Sequence, residues 1–79
     1  GLRSHGAQRL EVCLVPGGSV AGVLAAIEEQ RVHVESARVS EEEELRRVDL
    51  VVHGEATRLQ ALIDTVGRQE GVTGAAWST

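Results

Sequence analysis

"RLEVCLVPGGSVAGVLAAIEEQRVHV", residues 9–34, decides the architecture, because strand, helix and again strand periodicity follow one another in it. From Arg9 to Val15 the apolar residues alternate, with Leu10, Val12 and Leu14 on one side and Glu11, Cys13 and Val15 on the other, which predicts a half-buried strand. Pro16, Gly17 and Gly18 stop that strand, and Ser19 is placed to cap the next element by accepting from the unpaired amides of its first turn. Val20, Val23, Leu24 and Ile27 then recur at helical spacing, so a helix is expected as far as Gln30. Val32 and Val34 return to alternation against His33 and Glu35, and a phase slip at Ser36 and Ala37 predicts a β-bulge in a second strand ending at Val39.

The rest of the chain repeats this order. Glu41 to Glu44 are four consecutive acids that belong in solvent at a hairpin end, and "LRRVDLVVH" then turns Val48, Leu50 and Val52 inward as a third strand, with Gly54 as its stop. Thr57 and Gln60 have the spacing of a capping box, and Leu59, Leu62, Ile63 and Val66 repeat the stripe of the first helix. Gly71 is placed to end that helix or its loop, and Val72 to Ser78 read as a short last strand. The sum is an α+β, ferredoxin-like βαββαβ chain. It predicts a four-stranded antiparallel sheet with the first and third strands central, both helices on one face and the other face open.

Seventy-nine residues make one domain, and a chain this short buries only about 60% of the surface it exposes when unfolded. Trp77 is the sole aromatic residue, so the core must be built from Val, Leu, Ile and Ala. A net charge of −4 argues against nucleic acid as a partner, since phosphate neutralisation needs a basic surface. No apolar run reaches the length of a membrane span, and no signal-peptide pattern is present. "GLRSHGAQ", residues 1–8, reads as a linker ahead of a domain spanning 9–79. With no methionine at position 1 or elsewhere, a piece of a longer chain is expected.

Few residues carry legible chemistry. Backbone amides at a helix start can hold an anion, so Gly17, Gly18 and Ser19 are candidate contacts for a carboxylate or phosphate. The loop has neither the lysine nor the spacing of a phosphate-binding P-loop, and a tight strand-to-helix turn explains the same residues. The four glutamates raise the question of magnesium, but alternate strand residues at a hairpin tip do not build a rigid octahedral site. If the hairpin is centred on Glu43, His33 and His53 lie opposite each other on the outward face, where a third ligand such as Glu35 or Glu11 would complete a zinc or nickel site. The plainer reading, two solvated histidines, is preferred, and neither a metal nor a cofactor is expected. Cys13 has no partner for a disulfide and reads as a small packing residue. No nucleophile, base and acid fall into a catalytic pattern, so the chain is read as non-enzymatic. Glu11, Cys13, Asp49 and Val51 would sit near the middle of the open face, a mixed patch suited to an interaction.

"LVPGGSVAGVLAAIEEQRVHVESARV", residues 14–39, resembles the ACT-type regulatory domain, in which a strand ends in a Pro-Gly turn, a helix follows and the next strand opens near V-x-V-x-S. Amino-acid-binding members have Asp or Asn shortly before the Pro-Gly, where this chain has Leu14 and Val15. "EGVTGAAWST", residues 70–79, is similar to the end of the MgtC/SapB family, whose C-terminal domains read Gly-Val, a short gap and a Trp closing the last strand. That resemblance implies a bacterial inner-membrane protein with an N-terminal bundle of membrane helices, linked to growth in low magnesium and to intracellular survival and virulence. This domain would be its cytoplasmic C-terminus. The expected partners are the membrane domain of the same chain, a second copy, or another membrane protein. The alternative implied by the ACT resemblance is an amino-acid-sensing domain of a metabolic enzyme or transcriptional regulator, with Gly17, Gly18 and Ser19 at the ligand.

Overall fold

The computed structural model describes residues 5–78. The elements run β1 (His5–Leu14), α1 (Val20–Glu29), β2 (His33–Glu41), β3 (Arg46–Glu55), α2 (Ala56–Gly67) and β4 (Val72–Ser78). Every neighbouring strand pair is antiparallel, and the sheet order is β2-β3-β1-β4, so β1 and β3 are central as the right-handed crossovers require. Among the described residues no helix is long and apolar enough to cross a membrane.

One apolar layer holds the two halves together. Leu10, Val12 and Leu14 of β1 and Val48, Leu50 and Val52 of β3 form its floor, and Val23, Ile27, Leu59, Leu62 and Val66 of the helices close over it. These are the alternating and helical stripes of the sequence, now facing each other. Val72 and Trp77 are half-buried on β4 and pack on the same cluster, so the residues that carry the terminal motif work here as core edge.

Three local expectations are corrected. β1 begins at His5 rather than Arg9 and pairs with β3 along its whole length, so residues 5–8, expected as linker, extend the strand. Gly54 does not stop β3. It is buried and pairs with Gly6, and a Cβ there would stand 3.4 Å from Val32 Cγ2, so its bareness lets Val32 pack beside the strand end. The Thr57–Gln60 capping box does not form, because β3 stays paired through Glu55 and that residue becomes the helix N-cap, with no side-chain cap bond. Gly71, at φ +89, ends the loop after α2, the second of its two expected places, while the helix itself ends at Gly67.

The predicted bulge is present: His33 and Val34 pair with His53 and Val52, then Ser36 pairs with Val51, leaving Glu35 over. Glu41 to Glu44 are all exposed at the β2–β3 hairpin, where the Glu42 amide donates to the Leu45 carbonyl at 2.8 Å. Just past the Gln30 cap of α1 stands Arg31, a non-glycine residue at φ 62, whose amide donates to the Glu28 carbonyl at 2.9 Å.

Candidate functional site

Two places collect the candidate residues, the turn between β1 and α1 and the open face of the sheet. In the turn, the Gly18 amide donates to the Val15 carbonyl at 2.9 Å and Gly17 stands at φ +82. Proline second and a positive-φ glycine third make this a type II turn. Gly18 is required for another reason: a Cβ there would meet Leu14 Cβ at 2.9 Å and the Val15 carbonyl oxygen at 3.0 Å. Ser19 caps α1 as expected, its Oγ accepting from the Gly22 amide at 2.9 Å, and that oxygen is thereby engaged within the helix start.

The turn forms one wall of an open groove of about 460 Å³, with Gln69, Glu70 and Gly71 on the other side. The walls are tied together by the Val15 amide donating to the Gly71 carbonyl at 2.8 Å. Among the described residues that line the groove, Glu70 is the one ionisable side chain. Leu14, two residues before the Pro-Gly pair, is fully buried in the core. The turn's main support is one that sequence reasoning missed. Arg46 Nη1 donates to the Gly18 carbonyl at 2.9 Å while its Nε donates to Glu41 at 2.7 Å. Its position opposite Leu14 in the strand register was the only available signal, and it depended on knowing the register.

The open face brings all four predicted residues together. Glu11 lies directly opposite Asp49, Cys13 opposite Arg47, and Val51 opposite Arg9. Facing carboxylates across a strand pair repel. Arg47 offsets this, with Nε 3.3 Å from Glu11 Oε2 and Nη2 3.6 Å from Glu42 Oε2. Glu42, and after it Glu11, hold the Arg47 guanidinium's pKa above its ordinary value. Glu11, Cys13 and Val51 are half-buried among their neighbours, whereas Asp49 is exposed. Beside them a shallow hollow of about 500 Å³ is lined by Arg9, Arg38, Asp49 and Val51 together with Ser36 and Ser78. Neither Arg9 nor Arg38 makes an ion pair with a described residue.

His33 and His53 are register partners, as the hairpin centre implied, and both are exposed. Glu11 does not join them, since it pairs with Asp49, four residues along β3 from His53. The described residues include no buried polar or charged side chain.

With this geometry in hand, solved structures supply the comparison. The ACT domain of the GTP pyrophosphokinase of Chlorobium tepidum superposes with a TM-score of 0.79 at 9% identity, over 94% of this chain and 99% of that one. The fold is ACT-like. The C-terminal domain of the MgtC protein from Mycobacterium tuberculosis shares the fold with a TM-score of 0.74 at 14% identity, over 99% of this chain and 90% of that domain. A homoserine dehydrogenase from Thiobacillus denitrificans contains a similar ACT-like unit, with a TM-score of 0.76 at 13% identity, matching 92% of this chain and 17% of the enzyme. No family model matches the sequence, and no curated protein does.

Proposed function

We propose that this ACT-like unit is a non-enzymatic regulatory or interaction domain at the cytoplasmic C-terminus of an MgtC-like inner-membrane protein, serving growth in low magnesium and intracellular survival. The observation that carries the reading is the match to the MgtC C-terminal domain, over 99% of this chain and 90% of that domain. The Gly-Val and Trp of the last strand, Gly71, Val72 and Trp77, support it from the sequence.

The surface we assign to this role is the open sheet face around Glu11, Cys13, Asp49 and Val51. Its occupant in this reading is the membrane part of the same chain, or a second copy. The test is reassembly of the separated domain with the membrane part in membranes. With the domain expressed separately, Val51→Arg should abolish its co-purification with the membrane part while leaving its thermal unfolding unchanged. Equal recovery of the variant would overturn the assignment of this face.

In this reading the domain does not sense magnesium alone. Glu41 and Glu42 are engaged by Arg46 and Arg47, which leaves Glu43 and Glu44 without a preorganised oxygen cage.

A second reading, amino-acid sensing, is favoured by one observation, the groove between the Gly17–Ser19 turn and Gln69–Gly71. Titration of the labelled domain with amino acids separates the two. Saturable shifts at the Gly17, Gly18 and Ser19 amides support sensing, and an unchanged spectrum supports the interaction module.

A further inference from the structure

We propose that His33 and His53 form a two-histidine site for a borderline divalent transition-metal ion, copper(II) above nickel or zinc, on the open face of the sheet. The two residues are direct register partners in the antiparallel β2–β3 pair. Such partners hold their Cβ atoms about 4.5–5.5 Å apart, and imidazole nitrogens bind these ions at about 2.0–2.1 Å, so both rings reach one ion without movement of the backbone.

Their directions follow from the neighbouring residues. His33 lies between buried Val32 and half-buried Val34, which packs on the core, so its ring projects to the opposite face. His53 lies between buried Val52 and buried Gly54 and projects the same way. The pair is also braced, because Val32, next to His33, packs against Gly54, next to His53. On the far side of His53 the register places Ala7, an exposed residue that brings no charge of its own.

Imidazole suits copper, nickel and zinc, whereas magnesium takes oxygen ligands. Among the described residues no third His, Cys, Asp or Glu completes the set, so the ion keeps open positions for water. The site follows from the strand register and the ion from imidazole chemistry, and neither depends on the domain's regulatory role.

The test is titration of the 79-residue chain with copper(II), followed by electron paramagnetic resonance, and with zinc, followed by NMR. One ion should bind with two nitrogen ligands, and the zinc-induced shifts should centre on residues 33 and 53. His33→Gln and His53→Gln should each weaken copper binding at least about tenfold, because the second imidazole then no longer acts at high effective concentration. His5→Gln should leave the affinity unchanged, and magnesium should produce no shift at either histidine. A one-nitrogen copper signal, undiminished affinity in either His33→Gln or His53→Gln, or affinity lost with His5→Gln would overturn the site. The zinc shifts of the unsubstituted protein decide the matter independently of how the variants fold.

Discussion

Arg46 reaches from the first residue of β3 to the carbonyl of Gly18, 2.9 Å away and 28 positions earlier in the chain. One guanidinium thereby ties the strand-to-helix turn to the β2–β3 hairpin, since its Nε also holds Glu41 at 2.7 Å. The turn that looks like a ligand cradle in the sequence is braced by protein on one side and capped by Ser19 on the other.

Arg46→Ala should therefore cost about 1.5–3 kcal/mol in urea unfolding, the usual range for a hydrogen bond that involves a charged group. Glu41→Gln, which leaves the Gly18 contact intact, should cost less than half as much. Equal losses would place the stabilisation in the ion pair instead.

The two glycines of the turn should separate by mechanism. Gly17→Ala forces an L residue to φ +82 with open space around its Cβ, a cost of about 1–2 kcal/mol. Gly18→Ala drives a Cβ against Leu14 and the Val15 carbonyl, so the backbone of the turn must shift, and a loss above about 2 kcal/mol is expected. Thermal melts of the two variants give the order directly.

Arg31 holds a left-handed conformation at the end of α1 that glycine adopts freely. Arg31→Gly should raise stability by about 0.5–1 kcal/mol, the relief of strain being partly offset by the entropy of a freer unfolded chain. A decrease in the denaturation midpoint would mean that the Arg31 side chain makes a contribution of its own.

Leu50 and Val39 should behave as opposites although both are strand aliphatics. Leu50 is 1% exposed at the centre of the core, and Leu50→Ala should cost about 2–5 kcal/mol. Val39 is 45% exposed on the edge strand, so Val39→Ala should change the denaturation midpoint little.

Magnesium titration of the isolated domain should give no saturable NMR shifts at Glu41 to Glu44. Saturation at low millimolar concentration, centred on those four residues, would return magnesium binding to this domain.

Periodicity made the layout legible because burial imposes it. Leu10, Val12 and Leu14 alternate since a strand has two faces, and Val20, Val23, Leu24 and Ile27 recur since a helix turns one stripe to the sheet. The phase slip at Ser36 announced the bulge for the same reason. Where the local reading failed, a long-range partner had decided the outcome. Gly54 looks like a stop, yet pairing with Gly6 carries β3 past it, and Thr57 looks like a cap, yet Glu55 at the strand end takes that position.

The candidate sites divide along the same line. Pro16, Gly17, Gly18 and Ser19 announce their turn and cap within a few residues, so the sequence by itself determined the element order, the inward stripes and this joint. Only the tertiary structure decided that Arg46 braces the joint, that Arg47 stands between Glu11 and Glu42, and that His33 faces His53. These relationships depend on register, and a shift of one residue in any strand pair would turn every side chain of that strand to the other face. Packing of the whole core selects the register, which is why no short stretch of the chain contains it.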